Sequence, residues 1–452
     1  MSNHQVGEGD GAVVQGMDDL VSVFAGGEKP RERWRVGTEH EKTVFRLRDH
    51  GAPSYEEANG IGALLKRFEG FGWRAVEEKG VTIALSGPDG GVSLEPAGQF
   101  ELSGAPLGDL NETVAETARH MAQCREAGGE LGLGFLGLGF HPVAARSELP
   151  VMPKGRYDIM RRHMPRVGSL GLDMMLRTCT VQANLDYASE ADMAAKFRVS
   201  LALQPLATAL FANSPFTEGK PNGYLSYRSH IWTDTDGART GMLPFVFEDG
   251  FGYERYAEYM LDVPMYFVVR DGAYVDCAGA SFRDFMAGRL PQLPGERPTM
   301  GDWKDHLSTA FPEVRLKSFL EMRGADNGSE AMVNALPALW VGLLYDEAAL
   351  AAAGALVRGW SVEAQQAMRD EVPARALGAA LPGGGTLRDL APDVLAIARD
   401  GLRARGLGEE ALLAPLDAIA ADGVTQAERW LAAYHGEWGG DVRRVFEAAR
   451  VA

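Results

Sequence analysis

Glu95 and Glu101 lie in the stretch Val92 to Ser103, VSLEPAGQFELS, where polar and apolar residues alternate. Ser93, Glu95, Gln99, Glu101 and Ser103 take one parity and Val92, Leu94, Phe100 and Leu102 the other, the period of a β-strand whose side chains alternate between faces. Fully extended, the two carboxylates would stand roughly 20 Å apart at about 3.3 Å per residue, too far to share one ion. Pro96-Ala97-Gly98 lies between them, and such a triplet can bend or bulge a strand and draw the carboxylates together.

The pattern recurs. Gly37-Thr38-Glu39-His40-Glu41-Lys42, continuing to Leu47, puts Glu39 and Glu41 on one strand face, roughly 6.6 Å apart along the chain. From Thr178 to Tyr187, Thr178, Thr180, Gln182, Asn184 and Asp186 alternate with Cys179, Val181, Ala183, Leu185 and Tyr187. Lys317, Glu321 and Arg323 share one parity of a further segment and Leu320 and Met322 take the other. An antiparallel sheet can show such faces to water. A solvated face, however, mixes Lys with Glu and Thr, whereas here Glu39, Glu41, Glu95, Glu101 and Glu321 accompany Gln99, Gln182 and Asn184. Oxygen-rich sets of that kind suit hard divalent cations such as magnesium.

The whole chain, 452 residues with 46% hydrophobic and 24% charged, can bury the core of one large domain or two. A formal net charge of -17 argues against a nucleic-acid partner, because there is no basic surplus to neutralise phosphates. The opening MSNHQVGEGDGAV lacks the pattern of a secretory or organelle-targeting leader. No apolar run reaches the roughly 18 residues of a membrane span. Cys124, Cys179 and Cys277 are too widely spaced for a disulfide framework or a paired-cysteine metal motif. Together these features lead us to expect a soluble cytoplasmic protein without a membrane partner.

Helical spacing follows a polar lead-in of about 30 residues that contains a short helix near Met17 to Phe24. Ile61, Leu64, Leu65 and Phe68 predict a helix within 55–70, and Leu110, Val114, Thr117 and Met121 another within 106–128. Gly132-x-Gly134-x-x-Gly137 matches the dinucleotide fingerprint in form only. It sits inside an apolar strand-like run that leads to His141-Pro142 and opens no helix, so close backbone packing explains it better. There is no G-x-x-x-x-G-K-[ST] loop. Lys154 to Val167 reads as a helix rich in Arg and His, Asp192 to Asn213 as a long apolar helix kinked at Pro205, and Asp262 to Arg270 as a strand in which Pro264 marks an edge or bulge. Beyond Ala331 come helical runs near 331–345, 362–368, 391–404 and 425–434. We expect residues 1–345 to form a catalytic body, with a helical region, 346–452, packed on the same domain.

The ordered segments GTEHEK, SLEPAGQFELS, PKGRY, TCTVQANLD, NSPF, DVPMYF and LEMRGAD closely resemble the plant-type branch of glutamate–cysteine ligase, over about Trp34 to Tyr345. That family is one of the glutamine synthetase-like carboxylate–amine ligases. The resemblance implies an α+β fold: a curved, mainly antiparallel sheet with a polar concave active-site face, flanked by helices. It implies that ATP phosphorylates the side-chain carboxylate of L-glutamate and that the amine of L-cysteine attacks the acyl phosphate to give γ-glutamylcysteine, the first step of glutathione synthesis. Carried over by position, Glu39, Glu41, Glu95, Glu101 and Glu321 would hold magnesium, more than one ion, and Arg323 would steady the transferring phosphoryl group. Arg156 and Arg228 resemble the family arginines that grip substrate carboxylates, which a planar guanidinium meets with two hydrogen bonds. Tyr266 resembles its substrate-pocket tyrosine. Thr180, Gln182 and Asn184 fall on the substrate side, and Gln99 and Lys317 on the nucleotide side. The resemblance leaves the oligomeric state at monomer or homodimer. The chain departs from the plant enzymes in showing no organelle leader and in having cysteines that do not align with their redox-regulated pair. A ligase of the same fold that uses another amine, and a non-catalytic ligand-binding relative, are the alternative readings.

Overall fold

Nine strands form one sheet in the computed structural model, which describes residues 10–87 and 90–452. The first nine residues of the polar lead-in fall outside that range. The strands are β1 Val36–Arg46, β2 Arg74–Glu78, β3 Val81–Gly87, β4 Gly90–Leu94, β5 Phe100–Gly104, β6 Leu133–Leu136, β7 Thr180–Leu185, β8 Val314–Leu316 and β9 Leu320–Asp326. They lie in the order β8-β9-β7-β1-β5-β4-β3-β2, while β6 pairs with the far end of β1. Every pairing in this sheet is antiparallel. With many helices packed around it, the molecule has the mixed helix-and-antiparallel-sheet architecture expected.

The stretch from Val92 to Ser103 is not one bent strand. It is the hairpin β4–β5, in which Ser93 pairs with Glu101 and Leu94 with Phe100. Gly98 adopts φ 85°, and the turn closes through Gly98 N–H to the Glu95 carbonyl at 2.8 Å and Glu95 N–H to the Gln99 carbonyl at 2.9 Å. A left-handed residue permits a full reversal where a bulge would only have kinked the strand. Lys317 likewise sits outside a strand, in the turn between β8 and β9, its N–H bonded to the Phe319 carbonyl. The segment at Pro264 is a strand only from Phe267 to Arg270, paired with Ala273–Asp276 in a separate hairpin.

Seven helices matter for the site: α1 Leu110–Leu131, α2 Gly155–Val167, α3 Glu190–Leu210, α4 Tyr227–Ile231, α5 Glu330–Leu344, α6 Val362–Arg375 and α7 Leu387–Arg405. Asp109 caps α1 by accepting the Glu112 N–H, and Gly132 ends it in the left-handed region. α3 and α5 are buried along most of their length and pack on β9 and on β7 and β1 respectively. α7 then lies on α5 so closely that a side chain on Gly401 would run into the Gly342 carbonyl. Among the described residues no single helix is long and apolar enough to cross a membrane. Of the glycines in 131–140, Gly134 and Gly137 have the packing role expected, since a Cβ on Gly134 would fall 2.6 Å from the Phe45 ring and one on Gly137 would strike the Gly328 carbonyl, whereas Gly132 has open space around it and serves as the left-handed cap of α1.

Candidate active site

Pairing register brings the polar residues of four strands to one face. Glu39 stands opposite Gln182, Glu41 opposite Glu101, and Asn184 opposite Glu321. A cavity over this face is walled by Glu39, Glu41, Glu95, Gln99, Thr180, Gln182, Arg228, Arg315 and Arg323, with Trp232 and Phe311 as apolar flanks. Neighbours tie down most of these side chains. Asn184 Nδ2 donates to Glu39 at 2.9 Å, the Thr180 N–H to Glu41 at 2.8 Å, and Ser93 Oγ to Glu101 at 2.5 Å. Gln99 is used at both ends, accepting from the Ala97 N–H and donating to the Met175 and Thr178 carbonyls. The Thr180 hydroxyl bonds the Arg323 and Ala325 carbonyls where the β7–β9 register shifts.

The charges are unevenly compensated. Burial, then repulsion from Glu321 and Glu101, raises the Glu39 carboxyl above its ordinary value. Burial, then Glu95 and Glu101, pushes Glu41 up to about 8. Crowded, buried, oxygen-only donors of this kind fit a hard divalent cation. As the side chains stand, no group of three His, Cys or acidic residues among the described residues is gathered closely enough to hold one.

Glu321 is the opposite case. It is fully buried, and its two oxygens accept from Arg315 Nη2 at 2.7 and 2.8 Å and from Lys317 Nζ at 2.9 Å, with Arg323 Nη1 closer still. Burial alone would raise its carboxyl, but Arg315, Lys317 and Arg323 outweigh burial and hold it well below the usual range. Arg323 Nη1 also donates to Gln182 at 2.5 Å.

Arg315 is absent from the sequence-derived set: its shared parity with Lys317 was the only sequence signal, and its pairing with Glu321 across the β8–β9 hairpin appears only in the fold. Lys154 and Tyr157 were also missed. Both donate to the Leu94 carbonyl, at 2.8 and 2.5 Å, and so anchor the strand that delivers Glu95.

Arg228 enters the cavity from α4. Its Nη2 donates to the Arg323 carbonyl at 2.9 Å, while Nε and Nη1 are buried with no hydrogen-bond partner among the described residues. Two expected residues are placed elsewhere. Arg156 is buried on α2, 5.4 Å over the Tyr157 ring, and Tyr266 is buried beneath the Arg239 guanidinium at 3.8 Å with its hydroxyl toward Met164 sulfur. Neither forms part of the cavity wall. Lys317 reaches the site only through Glu321.

All three cysteines are buried free thiols. Burial pushes Cys124 up to about 12 and Cys277 up to about 11, and raises Cys179 further. Thiolate is the reactive form, so these groups are inert at neutral pH. Activity after equilibration in oxidised or reduced dithiothreitol is therefore expected to agree within about twofold, less than about 0.4 kcal/mol on the barrier. A reversible change of tenfold or more would contradict that expectation.

The family model described as glutamate-cysteine ligase family 2 matches residues 35–448. Over 431 residues the chain is 54% identical to the chloroplastic glutamate–cysteine ligase B of Oryza sativa subsp. japonica, covering 95% of this chain and 86% of that one. It is 55% identical to the chloroplastic enzyme of Brassica juncea over 95% of this chain and 83% of that one, and 54% identical to that of Arabidopsis thaliana over 95% and 82%. The fold is similar to that of a glutamate–cysteine ligase from Francisella tularensis solved in complex with AMP, at a TM-score of 0.52 and 12% identity, covering 94% of this chain and 90% of that one. The plant relatives are chloroplastic, which overturns the cytoplasmic placement. That placement rested on the leader pattern, the apolar run lengths and the cysteine spacing together, and none of these fixes a compartment.

Proposed function

The chain belongs to glutamate–cysteine ligase family 2, and on that premise we propose how its residues carry the family reaction. The enzyme joins the γ-carboxylate of L-glutamate to the amine of L-cysteine at the expense of ATP, by way of γ-glutamyl phosphate, and yields γ-glutamylcysteine, ADP and phosphate. A carboxylate attacking a triphosphate brings anions together, so catalysis needs clustered positive charge. The observation that carries the assignment is the meeting, in one cavity, of Glu39, Glu41 and Glu95 with Arg315 and Arg323 and the unpartnered Nε and Nη1 of Arg228.

Arg228, whose Nε and Nη1 have no partner among the described residues, receives a glutamate carboxylate on these free N–H donors, which lie on either side of the Nη2 held by the Arg323 carbonyl. Arg323, held by Gln182 and Glu321, presents its charge where the phosphoryl group transfers, and Arg315 and Lys317 add to the same field. Glu39, Glu41 and Glu95, with Glu101 beside them, are the residues that would hold magnesium, which when bound supplies the charge neutralisation between carboxylate and triphosphate; Glu321, also expected as a ligand, has both oxygens taken by Arg315, Lys317 and Arg323 and serves that cationic cluster instead. Gln99, tied on both sides, sets the hairpin turn beside Glu95. We read 1–345 as the catalytic body and 346–452 as a helical buttress of the same unit, acting on small molecules as a monomer or homodimer.

Phosphate release from ATP, measured with glutamate and each of a panel of amines, tests the reading. Turnover is expected to be highest with cysteine and absent without glutamate. Equal or better turnover with another amine would sink the cysteine assignment, and no release with any amine would sink the enzyme itself.

A further inference from the structure

Asp326 ends β9, the strand that carries Glu321 and Arg323, and is buried without touching the cavity described above. Its Oδ2 accepts from Ser214 Oγ at 2.7 Å and from the Asn213 N–H at 2.9 Å, and its Oδ1 accepts from Ser226 Oγ at 2.9 Å. Both serines continue to α4. The Arg228 N–H donates to Ser214 Oγ at 3.1 Å, and Ser226 Oγ caps the helix by accepting the Ser229 N–H at 3.2 Å. A helix of five residues has little intrinsic stability, so its position depends on such external ties. Room for the carboxylate is built in: a Cβ on Gly139 would fall 2.6 Å from the Asp326 Cβ.

From this relay we infer that Asp326 is a positioning residue for Arg228, locking the start of α4 to the end of β9 so that the free guanidinium N–H donors meet the glutamate carboxylate in one orientation. The inference rests on the substrate role proposed for Arg228. One carboxylate thereby registers the two cationic residues of the cavity against each other: Arg323 sits three positions before it on the same strand, and Arg228 is hung from it through two hydroxyls. The Arg228 Nη2 bond to the Arg323 carbonyl closes the loop. Burial raises the Asp326 carboxyl above its ordinary value, while Arg228 and the three donors oppose the shift. Substitution by Asn keeps the shape but turns one acceptor into a donor, which faces a serine hydroxyl or a backbone N–H.

Steady-state kinetics of the full chain test the proposal. Asp326→Asn is expected to raise KM for glutamate at least tenfold, with KM for ATP changed less than threefold and kcat at saturating glutamate reduced less than KM rises. Should the Asn variant fail to fold, the double variant Ser214→Ala/Ser226→Ala provides a second route. It leaves the charge in place, removes the relay and is expected to give the same selective rise. In an Arg228→Lys background, either change should add less than threefold, since the orientation it protects is already lost. Equal rises in KM for glutamate and ATP, or effects that multiply with Arg228→Lys, would overturn the positioning role. If Arg228→Lys raises KM for glutamate and neither Asp326→Asn nor the serine pair does, the inference fails alone. If Arg228→Lys leaves KM for glutamate unchanged, the substrate role of Arg228 fails and the inference with it.

Discussion

Glu321→Gln is expected to unfold at a lower temperature than the parent protein and to lose turnover by orders of magnitude, whereas Glu41→Gln is expected to lose turnover while becoming more stable without metal. The difference lies in who surrounds each carboxylate. Glu321 balances Arg315, Lys317 and Arg323 in a fully buried cluster, so neutralising it strands buried cations at a cost of about 3–5 kcal/mol. Glu41 is crowded by burial and by Glu95 and Glu101. Its carboxyl is raised from 4.5 to about 8, so the metal-free fold holds that proton more tightly than the unfolded chain does. The sign follows: the penalty is absent below about pH 4.5, grows as pH rises, and is complete above about pH 8. Thermal unfolding in EDTA at pH 5 and pH 8.5 checks both halves. Glu41→Gln should match the parent near pH 5 and exceed it at pH 8.5, and Glu321→Gln should fall below it at both. A Glu41→Gln protein less stable than the parent at pH 8.5 would mean that Glu41 is compensated by charge that this account omits.

Arg323→Lys is expected to lower kcat by about 10²- to 10³-fold, a few kcal/mol of transition-state stabilisation, with KM for glutamate changed less than tenfold. Lysine keeps the charge and so continues to balance Glu321. What it loses is the fork: Arg323 Nη1 is held by Gln182 and Glu321 together, and an ammonium cannot keep those partners while presenting a second planar edge. The split between kcat and KM separates this residue from Arg228, whose loss acts first on binding. Comparable loss in both parameters would place Arg323 on the ground-state carboxylate instead.

The glutamate face was legible because strand alternation depends only on local sequence, and Glu39, Glu41, Gln182 and Asn184 follow it without interruption. The β4–β5 reversal was half legible: Pro96-Ala97-Gly98 marked a break, but whether a glycine kinks or reverses a strand depends on the partner that the returning strand finds. Lys317 and Glu321 share a parity in sequence yet meet across a turn, so their contact was anticipated by a period that does not hold there. Arg315 was overlooked because its importance comes from cross-strand pairing, which alternation alone does not reveal. Arg156 and Tyr266 came from resemblance: Arg156 lies over its chain neighbour Tyr157 within reach of the Glu95 charge, and Tyr266 is buried against Arg239 by packing that no local pattern encodes.

The order of strands in the sheet sets a timetable for the chain as it is made. β2, β3, β4 and β5 pair each with the next in sequence and can close as soon as residue 104 exists. β1 pairs with β5 and, at its far end, with β6, but lies against β7 only when Leu185 has been added, and β9 reaches β7 only after Leu320. Pairings this distant in sequence are slow to form. A nascent chain between those two points has β7 as a bare edge beside Glu39 and Glu41 of β1, before Arg315, Lys317 and Arg323 have been added. An unpaired strand edge is a template for association with other chains, and like charge beside such an edge opposes that pairing. The acids gathered on the cavity face thus also guard an edge that exists only while the chain is unfinished.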